Sequence, residues 1–228
     1  LKEGNTACVA SLGELAHTNG MFDLATGHYA SAAAHFTKAI EFHERSSRWL
    51  DSRFIAYRGL RGAYVVSRQW QEAADIHVRI TRFPLNSSDG AALVQDCSYR
   101  AAVDLQGNDP GSALKNTREA ITTARLHYGA ESIYLPELYA LESDCLRATS
   151  EASGALAAAQ RATKLASKLW GDEHILMALP QQSLGRASLA LERNRDARAA
   201  FAHALRLMEV SQHDRLSEVE ADLAGIEQ

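Results

Sequence analysis

Apolar and small residues recur along the chain at the spacing of α-helices. Near the C-terminus, Ala197, Phe201 and Ala204 are separated by four and three residues, which places them on one face of a helix. A second helical stretch, Ser183–Leu191, precedes this one, and the short polar segment 192–196 joins the two. Alternation of alanine with larger side chains lets neighbouring helices approach closely. The pattern therefore predicts an antiparallel helix pair.

This pattern occurs five times with a nearly constant period. The anchoring alanines are Ala32, Ala73, Ala113, Ala155 and Ala197, so successive copies lie 41, 40, 42 and 42 residues apart. In repeats of this length, each helix pair buries its apolar face against the next pair. The sequence therefore predicts an all-α fold, a solenoid of about five antiparallel helix pairs.

The prediction gives one domain over residues 1–228. Helix pairs are expected at about 5–47, 50–83, 89–128, 132–170 and 173–211, with a capping helix at 213–226. The segment 83–90 is rich in Asn, Ser and Gly and contains a Pro, so a longer loop between repeats is expected there rather than a domain boundary. Four carboxylates are expected to give the capping helix a polar outer surface. They are Asp214, Glu218, Glu220 and Asp222.

The repeat residues resemble the signature of the tetratricopeptide repeat, TPR. The matching positions are Gly27, Tyr29, Ala32, Phe36 and Ala39 in the first copy, and Leu184, Gly185, Ala197, Phe201 and Ala204 in the last. The period near 42 and the element 170–174, which reads Trp-Gly-Asp-Glu-His, are similar to the long-repeat subclass of kinesin light chains and to arrays in bacterial regulators. The resemblance covers nearly the whole chain and implies a right-handed α-solenoid that binds other proteins.

Composition narrows the classes of function. The chain has 24 Lys and Arg against 28 Asp and Glu, whereas a dedicated nucleic-acid binder carries a basic excess. No run of about 18 apolar residues occurs, so no membrane span is expected. Three widely spaced cysteines, Cys8, Cys97 and Cys145, are interpreted as reduced, packed thiols rather than a disulfide framework. These features favour a cytoplasmic protein that does not bind nucleic acid or membranes directly.

The sequence contains no recognisable catalytic motif. Phosphate-binding glycine loops, the His-Glu-x-x-His motif, paired zinc cysteines and the nucleophile elbow are all missing from it. His28, His35 and His43 lie near one face of a helix, but neighbours are about two turns, roughly 10–12 Å, apart, which disfavours a metal site. Asp172 is expected to cap the following helix. The prediction is therefore a protein without catalytic residues, metal or cofactor, and not an enzyme.

The TPR resemblance also implies a binding surface, because the first helix of each pair lines the concave side of such an array. The family's ligand-facing positions, counted from the signature alanine, correspond to nine residues of this chain. They are Glu14, His17, Arg58, Gln95, Ser98, Asp144, Arg147, Gln182 and Arg186. Three are arginines, which hold carboxylates by paired hydrogen bonds, so the ligand is hypothesised to be an acidic peptide or helix. The open alternative is that these arginines pair with local acids or stay solvated.

The leading interpretation is a non-catalytic scaffold for protein–protein interaction. The chain starts at Leu1 rather than Met, so it is expected to be the repeat region of a larger bacterial signalling or transcriptional regulator. An alternative is a ligand- or peptide-sensing module whose curvature changes on binding. Self-association through uncapped helix faces is compatible with the scaffold.

Overall fold

The computed structural model describes residues 3–46, 50–83 and 89–226, and these ranges contain eleven α-helices and no strand. The helices are α1 (Glu3–Thr26), α2 (Tyr29–Ser46), α3 (Leu50–Val66), α4 (Trp70–Ile80), α5 (Gly90–Gln106), α6 (Pro110–Tyr128), α7 (Leu135–Ala148), α8 (Ala152–Trp170), α9 (Ala178–Leu189), α10 (Asn194–Ser211) and α11 (Leu216–Ala224). A short 3-10 helix, Ile175–Met177, precedes α9. Five antiparallel pairs and a shorter last helix form the all-α solenoid that the sequence predicted.

The helices pack into two compact units, residues 1–86 and 87–228. Unit 1 contains α1 to α4, and unit 2 contains α5 to α11. The division falls in the segment where the sequence predicted a longer loop, most of which lies outside the described residues. A single domain over the whole chain stays a prediction.

The same turn joins the two helices of every pair. One residue in each turn has a positive φ, between 58° and 86°, and these residues are Gly27, Arg68, Asn108, Ser150 and Glu192. The backbone N–H of the next residue then donates to the carbonyl five residues earlier, over 2.8 to 3.0 Å. This is the long hydrogen bond of a Schellman motif, which reverses the chain and satisfies a carbonyl at the helix end. The turns recur at the sequence period because the same motif closes every pair.

Close contact between an aromatic ring and a glycine holds the helix pairs together. Phe36 of α2 is fully buried, and a Cβ at Gly20 of α1 would lie only 2.9 Å from its ring. Phe201 of α10 is equally buried, and a Cβ at Gly185 of α9 would lie 2.5 Å from its ring. The glycine and the aromatic residue of the repeat signature are therefore required together, since any larger side chain on the first helix would displace the ring.

Helix order separates two sides within each unit. The first helices of neighbouring pairs touch each other, α1 with α3 in unit 1 and α7 with α9 in unit 2. In unit 2, α8 packs against both α7 and α9, and α10 packs against α9. We call the layer of α7, α9 and α11 the first-helix side of unit 2, and the layer of α6, α8 and α10 its second-helix side.

The three cysteines are free thiols in different surroundings. Cys97 and Cys145 are buried, as expected, but Cys8 is exposed on α1, so the expectation of three packed thiols is wrong at this position. Leu12 and Leu15, which follow Cys8 by four and seven residues on the same face of α1, are exposed as well. None of the helices in the described ranges has a stretch long and apolar enough to span a bilayer.

Candidate partner-binding surface

In unit 1, two of the residues predicted to face a ligand surround a buried imidazole. Glu14 and His17 lie one turn apart on α1, and the Glu14 carboxylate accepts a hydrogen bond of 2.9 Å from Ser52 Oγ. A Glu14 carboxylate oxygen lies 3.9 Å from Nε2 of His43, which is 1% exposed and makes no hydrogen bond to any described residue through either ring nitrogen. Burial lowers the pKa of both His17 and His43, and Glu14 acts in the opposite direction.

Arg58, the third predicted residue of unit 1, is a buried packing residue. It lies on α3 with 6% of its surface exposed, and its guanidinium carbon sits 5.1 Å from the ring centre of Phe54. A guanidinium over an aromatic face is attracted by the negative charge of the ring's π-electrons. The side chain is therefore already engaged within unit 1.

The two predicted residues of the third copy, Gln95 and Ser98, are half-buried on α5. Ser98 Oγ donates to the Val94 carbonyl over 2.8 Å, so its hydroxyl is used within its own helix.

The remaining four predicted residues lie together on the first-helix side of unit 2. Asp144 and Arg147 belong to α7, and Gln182 and Arg186 belong to α9. Arg186 Nε donates to an oxygen of Asp222 on α11 over 2.8 Å, and Gln182 Nε2 donates to the same oxygen over 3.0 Å. An acid that the sequence analysis had not assigned to the site thus links two predicted residues.

Two further side chains extend this arrangement. Arg215, just before α11, donates to Gln182 Oε1 over 3.3 Å and to Glu218 over 2.9 Å. Arg186 also lies 3.7 Å from Glu218. We call these neighbouring residues of α7, α9 and α11 the first-helix cluster. Its members are Asp144, Arg147, Gln182, Arg186, Arg215, Glu218 and Asp222.

The acids of α11 do not all face outward. The prediction that Glu218 and Asp222 belong to a polar outer surface is wrong, because both are half-buried and paired with Arg186. Val219 is fully buried and packs into the apolar core that includes Phe201 of α10. This packing turns the neighbouring carboxylates toward α9. The sequence offered no sign of it, because nothing in the repeat pattern relates α11 to α9.

Charges within the cluster largely offset each other. Arg147 lies 3.8 Å from Asp144 on the same helix, so Arg147 and Arg186 both pair with acids of their own chain. Burial is the main cause that raises the pKa of Asp144, and Arg147, Arg186 and Arg215 oppose it. The ligand role of the predicted residues stays a prediction.

The histidines considered for a metal site have other contacts. His35 Nδ1 lies 2.8 Å from an Asp23 carboxylate oxygen, and His28 Nδ1 lies 3.0 Å from Thr26 Oγ1. Within the described ranges, no group of three or more His, Cys, Asp or Glu side chains could hold a metal ion.

The element 170–174 has a structural role. Trp170 stacks on His174 with ring centres 6.2 Å apart, and Glu173 pairs with Arg206 of α10 over 2.9 Å. His174, rather than the predicted Asp172, caps the following helix, since its Nδ1 accepts from the Leu176 N–H over 3.2 Å. The imidazole can act as the cap because it lies directly before the 3-10 helix.

Fold and site together define a TPR-like array of helix pairs with a charged first-helix side. The chain is similar to the crystal structure of BtubC (BKLC) from P. vanneervenii, with a TM-score of 0.61 and 15% identity over 85% of this chain and 81% of that one. It is also similar to the apo form of RapI, with a TM-score of 0.57 and 13% identity over 95% and 71% of the two chains.

A third similar structure contains the nearly identical TPR-like repeats of a kinesin light chain candidate from P. anserina. Its TM-score is 0.53, with 16% identity over 90% of this chain and 97% of that one. No protein-family profile matches the sequence, and no curated protein matches it either. The TPR resemblance is therefore confirmed for the fold, while the long-repeat subclass stays a prediction.

Proposed function

We propose that the chain is a non-catalytic protein-interaction scaffold that binds a peptide or partner protein on the first-helix side of its repeats. One observation carries the proposal: unit 2 already holds an acidic amphipathic helix, α11, on this side. Val219 of α11 enters the core, while Asp222 binds Arg186 and Gln182 of α9. The same combination of apolar burial and charged hydrogen bonds is how folded surfaces recognise helical ligands.

Of the three predicted arginines, Arg147 is the one that we expect to bind the acidic ligand hypothesised from the sequence. Arg186 is paired with Asp222 and Glu218, and Arg58 is buried against Phe54. Arg147 is 42% exposed, and within the described ranges its one ion pair is the long contact to Asp144, so a partner carboxylate can reach it. The wider proposal is a cytoplasmic region of a larger bacterial signalling or transcriptional regulator, with a protein or peptide as the direct partner.

The test is selection of binding peptides from a displayed library of random peptides about 16 residues long, with the full chain immobilised. We expect enrichment of peptides that contain Asp or Glu, and about tenfold weaker binding of their synthetic versions to Arg147→Glu. Lys115→Glu is the matched control, because it reverses one exposed charge on α6. Failure to enrich any peptide would argue against the scaffold. If small metabolites raised the melting temperature instead, the sensing module would replace it.

A further inference from the structure

A groove on the second-helix side of unit 2 lies away from the first-helix cluster. It runs between α8 and α10 with α9 beneath, and it encloses about 400 Å³. Leu156 of α8, Leu184 of α9 and Ala200 of α10 supply its apolar surface, and Gln181 and Ser188 of α9 add polar surface beside them. Gln160 of α8 and Ala199 of α10 line it as well. We call this the α8–α10 groove.

The small side chains of α10 continue this surface outward. Ala199 also lines a second hollow of about 420 Å³, together with Ala202, Arg195 and Arg198. Alanines at these positions leave room for another helix to approach closely, as they do between the helices of the array. The surface thus extends from the groove over the outer face of α10.

The rim of this surface is basic. Helix α8 contains three Lys or Arg and no acid in 19 residues; Arg161 and Lys168 pair with acids of other segments, which leaves Lys164. On the solvent-facing surface of α8, Lys164 lies one turn after the groove residue Gln160. Arg193 lines the groove just before α10, and Arg195 and Arg198 follow on that helix.

These cations differ from those of the first-helix cluster. In the described part of the chain, no ion pair involves Lys164, Arg193, Arg195 or Arg198. One acid, Asp196, lines the groove, and His203 at its edge lies 3.0 Å from the Asp172 carbonyl oxygen. The rim therefore carries an excess of positive charge that the chain does not neutralise.

We propose that the α8–α10 groove is a second binding surface, and that it takes an acidic amphipathic helix of a partner protein. Leucine or alanine side chains of that helix would cover Leu156, Leu184 and Ala200, and its carboxylates would reach the arginines of α10. The docking of α11 against α9 and α10 shows the same chemistry within this chain.

Charge complementarity favours a short acidic helix over a nucleic acid as the ligand of the α8–α10 groove. Residues 87–228 contain 14 Lys and Arg against 20 Asp and Glu, so unit 2 as a whole is acidic and the basic rim is a local feature of its surface. A long polyanion would also meet the surrounding acids, whereas a helix of a few turns meets only the basic rim. The proposal concerns a surface separate from Arg147 and can fail independently of the first-helix site.

The test is fluorescence anisotropy of the full chain with a labelled probe peptide of about five helical turns. The probe carries Leu and Ala on one helical face and Glu on the other. We expect Arg195→Glu/Arg198→Glu to weaken binding about tenfold or more, and added salt to weaken it as well. The variant should fold, because both side chains are exposed and an acid at position 195, in the first turn of α10, interacts favourably with the helix dipole. Circular dichroism checks this.

Lys115→Glu/Arg125→Glu is the matched control, since it reverses two exposed charges on α6, outside the groove. The control should change the dissociation constant by less than about twofold. Equal effects of both double variants, or an effect of Arg147→Glu alone, would overturn the groove proposal and leave the scaffold intact. No binding of the probe, or groove-dependent binding of a DNA duplex or phosphatidylserine vesicle in its place, would overturn it too.

Discussion

Single glycines fix the connections between helix pairs in unit 2. Gly129 and Gly171 end α6 and α8 with φ of 83° and 85° and an extended ψ. This combination is essentially restricted to glycine, since a Cβ would strain the backbone. Tyr128-Gly129 and Trp170-Gly171, the aromatic-glycine pairs of the sequence repeat, therefore recur because the backbone leaves the helix in the same way twice.

We predict that Gly171→Ala lowers the free energy of unfolding by about 1–3 kcal/mol through backbone strain alone. Packing does not contribute, because a Cβ at Gly171 would meet no atom within 4 Å. Gly154→Ala is the control in the first turn of the same helix, where a Cβ would make an ordinary contact of 3.5 Å with Leu146. It should be neutral or stabilising by up to about 1 kcal/mol. Urea denaturation measures both, and an equal loss in the two variants would contradict the explanation.

A buried imidazole makes unit 1 sensitive to acid. Three groups surround His43: Glu14 and His17 of α1, and Arg53 of α3. Burial lowers the pKa of His43 below its ordinary value of 6.5, so the unfolded chain binds a proton more readily than the folded one. The neutral ring therefore contributes fully to the free energy of unfolding above pH 6.5, and this contribution is lost as the pH falls below 6.5.

We predict that the free energy of unfolding of the wild type decreases from about pH 7 to about pH 5, and that His43→Leu decreases less. Leucine cannot be protonated, and it removes two ring nitrogens that have no hydrogen-bond partner among the residues that the structure describes. His17 contributes in the same direction, because burial also lowers its pKa, so some dependence should remain in the variant. Parallel pH profiles of the two proteins, measured by urea denaturation, would rule His43 out as the source.

At the scale of helices, α11 is held to unit 2 by a half-buried ion pair as well as by its apolar face. Arg186 and Asp222 are 21% and 24% exposed, and two guanidinium nitrogens lie 2.8 Å from one carboxylate oxygen. Arg206 and Glu173 form a comparison pair on the same unit, at 2.9 Å but 57% and 71% exposed. Water screens the second pair more strongly than the first.

We predict a coupling of about 1 kcal/mol or more for Arg186 and Asp222 in a double-mutant cycle of alanine variants, and about 0–0.5 kcal/mol for Arg206 and Glu173. The difference follows from solvent exposure, since the two pairs have nearly equal distances. Each cycle is measured by urea denaturation. Equal coupling in the two pairs would mean that solvent exposure does not set their strengths, and a coupling near zero for Arg186 and Asp222 would mean that this pair does not hold α11 to α9.

The helices could be predicted from the sequence because their causes are local and repeated. Glycine facing an aromatic ring occurs in the first and last pairs, as in Gly185 and Phe201, and the period of the anchoring alanines comes from packing that every pair must solve in the same way. The partners of Arg186 could not be predicted, because Asp222 lies 36 residues away on a helix outside the repeat. The burial of Arg58 against Phe54 depends equally on how helices pack, which periodicity leaves undetermined.

At the scale of the whole molecule, basic and acidic residues lie on different surfaces, which the composition alone does not show. The formal net charge is only −4, yet the second-helix side of unit 2 carries basic residues on α8 and α10 that acids of the described chain do not neutralise. The acids that offset them lie elsewhere, for example on α11. The net charge correctly indicated that the protein as a whole is not basic. It could not locate a basic surface, because the fold decides which charged residues are neighbours.

Thiol reactivity offers a measure of folding across the molecule. Cys8 is exposed, whereas Cys97 and Cys145 are buried in unit 2. Burial raises the pKa of Cys97, and it raises that of Cys145 to about 11, so little reactive thiolate forms at neutral pH. We predict that a maleimide labels only Cys8 in the folded chain and all of the cysteines in denaturant, read by intact mass. Cys8→Ser should remain unlabelled when folded, and labelling of Cys145 as fast as Cys8 would mean that α7 is not packed as described.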